Sequence, residues 1–297
     1  MIKLTDRRRA ALGRFGRQAM LYILLTCLAY VIVYPVFGRI MYSFMTAADL
    51  NDDTVFLFTK HFTLDNYIRV AAIMDYGASL LRTVGVVALN CVLQVSAAAV
   101  TAYGLARFRF PGRGLLFFIS ILTLIIPPQI LTTPLYFRFI DLLNTPIPTA
   151  LLCATGLGLK SALLIFMLRQ YFAGFPRELE EAASIDGAGP IRTFLRVALP
   201  SAGTMLTTVF LFSVVWQWTD NFYPSVFDPT TDYLPLVITR VYNAVKAATE
   251  HSGTVDVIGQ SLLNNAAYLL FIVPLLVIFL IGQRYFVESV ERSGIVG

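Results

Sequence analysis

Charge is scarce in this sequence: only 14% of its 297 residues are Asp, Glu, Lys or Arg, against 57% hydrophobic residues. A water-soluble domain carries about 25% charged residues and covers its surface with them. A chain so poor in charge, with a mean hydropathy of +0.70, has too little polar surface for a cytosolic enzyme or a disordered chain. Cysteine is nearly absent too. Cys27, Cys91 and Cys153 each lie inside an apolar run, with no second cysteine at disulfide or metal-ligand spacing. A secreted disulfide scaffold is excluded, and the three read as small core residues. The two histidines, His61 and His251, stand alone in polar segments and read as surface residues. No Ser-His-Asp, Cys-His or paired-carboxylate constellation can be assembled, so no catalytic residue and no metal ligand is expected.

Long apolar runs are what the sequence has instead. Uncharged stretches cover residues 18–38, 83–106, 114–137, 197–219 and 257–283, and a sixth, 142–168, is interrupted only by Lys160. About 20 apolar residues cross a bilayer core as a helix, so six transmembrane helices are expected. The strands of a β-barrel would alternate in segments of about ten residues instead. Lys and Arg in short loops set orientation. Lys3, Arg7, Arg8, Arg9, Arg14, Arg17, Arg107, Arg109, Arg113, Arg169, Arg177, Arg192, Arg196, Arg284 and Arg292 fall on one side, which places both termini in the cytoplasm. The first apolar run lacks a small-residue cleavage pattern and reads as a retained signal anchor. Residues 1–17 are then a basic cytoplasmic tail, 18–286 one transmembrane domain, and 287–297 a C-terminal tail.

The cytoplasmic loop 173–199 has a pattern of its own. Pro176 suits a first helical position, and Glu178, Glu180 and Glu181 follow where the helix dipole favours anions. Gly187 and Gly189 break that helix and Pro190 opens a second short one. The loop reads as a helix–turn–helix whose small face, Ala182, Ala183 and Gly187, lets another protein approach the backbone. Glu181-Ala182-Ala183, then Gly187, then Val197 and Leu199-Pro200 resembles the E-A-A signature of ABC-importer membrane subunits, with valine for the family's isoleucine. Further elements are similar to the MalG-like carbohydrate permeases. These are Phe62-Thr63-Leu64-Asp65-Asn66-Tyr67, Ala102-Tyr103-Gly104-Leu105-Ala106-Arg107, Ile126-Pro127 with Pro134-Leu135-Tyr136, Leu168-Arg169-Gln170-Tyr171-Phe172, and Gln283-Arg284-Tyr285-Phe286-Val287.

That resemblance implies an all-α type I (MetI-like) importer permease in a bacterial inner membrane. It implies that Glu181, Ala182, Ala183, Asp186 and Gly187 contact an ATPase subunit, with Gly294, Ile295, Val296 and Gly297 as a second contact. Pro200 would mark entry to the fifth span. The implied partners are a second homologous permease in a heterodimer, two ATPase subunits, an extracytoplasmic binding protein and its sugar, but no nucleic acid. No cofactor is expected on this chain. ATP and Mg belong to the ATPases, because a phosphate-cradling G-x-x-x-x-G-K-S/T loop is missing. The nearest approach, Gly156-Leu157-Gly158-Leu159-Lys160-Ser161, separates glycine from lysine and lies in an apolar run.

Polar residues inside spans line a path or bind helices together. Asn90, Gln94, Gln129, Lys160, Trp216, Trp218, Asn264, Asn265 and Tyr268 are the candidates for a saccharide path, aromatic faces stacking on sugar C–H surfaces and amides bonding hydroxyls. Pro127-Pro128 is expected to kink the third helix. Lys160 would sit near the middle of the fourth span and meet an anionic, uronate-type sugar, or else snorkel to the headgroups. An ion-coupled secondary transporter or channel is the rival class. It calls for paired intramembrane carboxylates or an inverted repeat, and a structural scaffold is a weaker third.

Overall fold

The computed structural model describes the backbone of residues 2–251 and 257–294, and the side chains of 15–243 and 261–283. Every regular element among them is a helix. The chain divides into two compact units, Met1–Val70 with Tyr242–Leu269, and Ala71–Val241 with Leu270–Gly297.

In the first unit, α1 (Ile2–Ser43) carries an apolar stretch, Phe15–Ser43, whose most hydrophobic window has no buried residue. Helix α2 (Ala47–Leu50) follows behind a capping box made by Thr46 and Asp49. Asp49 is itself buried, against the loop that follows α2. Burial alone would raise its pKa. Hydrogen bonds from Thr59 Oγ1 (2.7 Å), His61 Nδ1 (2.9 Å) and the N–H groups of Thr46 and His61 outweigh that and hold the carboxyl below its usual range. Asn66, opening α3 (Asp65–Ile73), donates its amide to the carbonyls of Ser43 and Met45 at 2.9 Å each. The loop after α2 is thereby tied back to the end of α1.

The second unit is built around α4 (Tyr76–Arg107), which packs on α7 (Ile147–Ala154), α8 (Ser161–Gly174) and α12 (Gly203–Thr219). Ala98, Ala99 and Ala102 of α4 are small enough to let Leu164, Leu168 and Phe172 of α8 and Val209 of α12 close over them. The apolar part of α15 (Val257–Gly294) runs over Ser261–Gln283.

Two expected spans are broken. Instead of one kinked helix over 114–137, α5 (Arg113–Leu122) stops and a 3₁₀ turn, Pro128–Leu131, leads into α6 (Thr132–Arg138). Pro128 pushes Pro127 to extended backbone (ψ 134°), and neither proline can donate an N–H, so no helix passes through. The run 142–168 divides into α7 and α8, because Gly156 (φ +75°) and Lys160 (φ +56°) both take left-handed backbone. Lys160 therefore stands at a helix start, at the end of the break. The fifth expected span is bent by 79° between Pro190–Ser201 and α12, just past Pro200. Among the described residues three helices are long and apolar enough to cross a membrane, or four with the bent pair counted as one.

Gly158 sits in the α7–α8 break where an added Cβ would lie 2.8 Å from Cys153 Sγ and 3.1 Å from Cys153 Cα. Gly158→Ala should therefore destabilise the protein by about 1–3 kcal/mol, read as a lowered thermal midpoint in detergent. Gly85→Ala, with open space around it, should show no loss.

Candidate functional site

The hairpin over residues 176–193 is built from three sequence signals. Pro176 caps α9 (Arg177–Ile185), with Glu178 and Glu180 in its first turn. The helix ends through Asp186 N–H to Ala182 O at 3.0 Å and Ala188 N–H to Ala183 O at 2.9 Å, a closure that needs the left-handed Gly187 (φ +78°). Pro190 then starts α10 (Pro190–Thr193), with Gly189 as its cap. The expected helix–turn–helix is present, with Pro176 one place earlier than expected.

Its small face is divided. Ala183 is buried and turned toward the chain's own core, whereas Glu181, Ala182, Asp186 and Gly187 are exposed. Leu179, Ile185 and Ile191 of the hairpin and Leu195 just beyond it are exposed too, Ile185 by 87% and Ile191 by 76%. Sequence reasoning passed over these four, although apolar residues recurring in a charged segment are a signal in themselves. Gly294 ends α15, and the other residues of the second expected contact, Ile295, Val296 and Gly297, lie outside the described residues.

The path residues separate into different roles. Gln94 is fully buried and uses all four of its hydrogen-bonding positions. Its Nε2 donates to Leu159 O (2.7 Å) and Ser161 Oγ (2.8 Å), and its Oε1 accepts from Ser213 Oγ (2.6 Å) and Gln217 Nε2 (3.2 Å). Nothing is left for a passing sugar, so Gln94 binds α4, α8 and α12 together. Trp218, 1% exposed, is likewise committed through its indole N–H to Phe271 O at 3.0 Å. Asn90 donates to Gln217 Oε1 at 3.3 Å, while its buried Oδ1 has no partner. It lines a cavity of about 30 Å³ together with Thr149, Asp220, Asp228 and Tyr233.

Lys160 and Trp216 come together, the ammonium lying 4.9 Å from the ring centroid. Among the described residues no carboxylate stands within ion-pair distance of Lys160. Lys160 also borders an open cavity of about 210 Å³ with Ser161, Tyr223 and Thr123. Gln129 is exposed in the 3₁₀ turn. In the other unit, Asn265 accepts from Arg39 Nη1 at 3.3 Å, Arg39 lies 6.0 Å from the Tyr268 ring, and Asn264 is half-buried. Among the described residues no three His, Cys, Asp or Glu side chains gather as a metal site.

Residues 94–292 match the family described as binding-protein-dependent transport system inner membrane components. The chain belongs to that family. As a transport-system component of the inner membrane it is a permease, not an enzyme. It is 31% identical to the alpha-glucoside transport system permease protein AglG of Rhizobium meliloti, over 80% of this chain and 61% of AglG. It is 29% identical to the diacetylchitobiose uptake system permease protein NgcG of Streptomyces coelicolor, over 97% of this chain and 90% of that one. The fold is that of a solved bacterial ABC transporter involved in import of the acidic polysaccharide alginate, with TM-score 0.74 and 22% identity over 89% of this chain and 94% of that one.

Just past the apolar helix α12 of this permease, Asp220 is buried, and burial pushes its pKa up from 3.8 to about 6, partly offset by the N–H groups of Phe222 and Tyr223. A carboxyl raised above its unfolded value is penalised when ionised, and the penalty is relieved as pH falls through 6. The thermal midpoint should rise between pH 7.5 and 5 on this account. Asp220→Asn should raise the midpoint at pH 7.5 and flatten the dependence.

Proposed function

We propose that the chain is one of two paired permease subunits of an ATP-driven importer, forming half of the path for an oligosaccharide handed over by an extracytoplasmic binding protein. The observation that carries this reading is the α9–α10 hairpin. It is a short, closed element in an arginine-rich segment, and it leaves Leu179, Ile185 and Ile191 exposed, with Leu195 just beyond it. Apolar side chains rimmed by charge mark a protein–protein contact. A partner ATPase that holds ATP and Mg would dock there, on Glu181, Ala182, Asp186 and Gly187, with Ala183 packing the hairpin from behind. Gly294, Ile295, Val296 and Gly297 would form the second contact. The six apolar segments give six passes, two of them broken, with both termini cytoplasmic.

The saccharide reading rests on the relatives named for alpha-glucoside and diacetylchitobiose transport and on the pairing of Lys160 with Trp216. An aromatic face and a cation without a carboxylate partner suit a sugar that carries its own carboxylate, hence a uronate-type cargo.

The experiment is reconstitution of the co-expressed complex in proteoliposomes, with ATP hydrolysis measured with and without the loaded binding protein. Stimulated hydrolysis and saccharide uptake are expected. Hydrolysis indifferent to the binding protein contradicts the reading. Ile185→Asp should weaken retention of the ATPase by at least about tenfold, as expected for an apolar anchor at the centre of an interface, without changing the yield of folded permease. Lys160→Ala should abolish stimulation by an oligogalacturonate and leave any response to a neutral maltooligosaccharide intact. An unchanged oligogalacturonate response removes the lysine from substrate recognition.

A further inference from the structure

Glu180 and Glu181 are adjacent in α9 and differ in exposure. Glu181 is exposed, whereas Glu180 turns inward onto Arg107, which lies 73 residues away in the last turn of α4. Arg107 Nε donates to Glu180 Oε1 at 2.9 Å and Oε2 at 2.8 Å, and Nη2 adds a further bond to Oε2. The remaining terminal nitrogen, Nη1, donates to the carbonyls of Phe172 (3.3 Å) and Phe175 (3.1 Å), just where α8 ends. Tyr103, one turn earlier on α4, donates its hydroxyl to Glu180 Oε1 at 3.0 Å. Its ring packs at 5.4 Å from that of Phe172 and 4.8 Å from that of Phe194. Arg107 and Glu180 are only 8% and 20% exposed.

One guanidinium therefore fastens three elements: the cytoplasmic end of α4, the end of α8, and the first turn of α9. A planar fork on a carboxylate fixes orientation as well as distance, which a lysine cannot do. Because the pair is mostly out of water, parting it would leave two uncompensated charges. A helix held this way cannot swing without taking its anchor along. Its anchor is the helix around which the second unit is packed.

We infer that the Arg107–Glu180 pair, steadied by Tyr103, is the strut through which a push on the α9–α10 hairpin reaches α4. The inference rests on the proposed importer function and adds a division of labour between neighbouring glutamates. Glu181 faces the docking side, and Glu180 transmits inward. Both strut residues are positioning residues that act through α4.

The test uses the assembled complex in lipid nanodiscs, with Cys27→Ser to remove an exposed native thiol. Nitroxides are placed at Gly77→Cys, where the space is open, and at the exposed Arg192→Cys. In the otherwise native complex the interlabel distance should be the same without nucleotide and after trapping with ATP and vanadate, because hairpin and α4 move together. In Glu180→Gln the trapped state should shift or broaden. Stimulation of hydrolysis by the binding protein should fall at least about fivefold, with unstimulated hydrolysis and ATPase retention preserved. Arg107→Lys, keeping the charge and losing the fork, should fall between. A Glu180→Gln complex with native stimulation and an unchanged distance overturns the strut, as does a distance that already changes in the native complex. Loss of the ATPase on Glu180→Gln also overturns it, by making the pair a docking support only. A native preparation that contains no ATPase defeats the importer reading itself and is recognised before any variant is made.

Discussion

The structure depends on satisfying polar groups where apolar helices break. Inside a bilayer no water is available for a freed carbonyl, so the protein has to supply the donor. The break between α7 and α8 frees Leu159 O, and Gln94 supplies it with an N–H at 2.7 Å while also binding Ser161 at the start of α8. The carbonyl end of the same amide accepts from Ser213 and Gln217 on α12. One side chain therefore permits a discontinuous helix and joins it to two continuous ones. Around it, the alanines of α4 allow the close approach that short hydrogen bonds between helices require.

Where α4 and α8 end, the same logic is applied with charge. Arg107 donates to the carbonyls of Phe172 and Phe175 at the end of α8 and holds Glu180 of α9 with the same guanidinium. The hairpin is then fixed through Glu180 and leaves Ile185 and Ile191 exposed among charged residues. A lever needs both properties: a rigid attachment to what it moves and a surface for whatever moves it. Family membership and the exposed Ile185 and Ile191 give that surface a meaning that neither has alone.

The hairpin was legible because its determinants are local. Pro176, Gly187 and Pro190 each constrain their own backbone, and the spacing among them survives any tertiary context. The breaks at 123–128 and 155–160 were less legible, since hydropathy registers apolar side chains and ignores φ and ψ. Gly156 and Gly158 beside Lys160 were the available signal, and the strain they relieve appears only once Cys153 is seen against Gly158. Gln94 and Trp218 were read as path residues because an amide or indole can serve either purpose. Only the partners decide, and four of Gln94's lie 65 to 123 residues away. The Arg107–Glu180 pair had no signal in periodicity or spacing for the same reason. Lys160 was expected near the middle of a span; it stands at a helix start, beside Trp216.

The most direct test of the coupling role proposed for the hairpin is site-specific photocrosslinking in native membranes, with benzoylphenylalanine at Ile185, at the buried Ala183, and at Val31 of α1 as an exposed apolar control. The account predicts an adduct with an ATPase subunit from Ile185 and none from Ala183 or Val31. An Ile185 probe that captures only lipid or this permease's own partner permease, with no ATPase adduct, would contradict it.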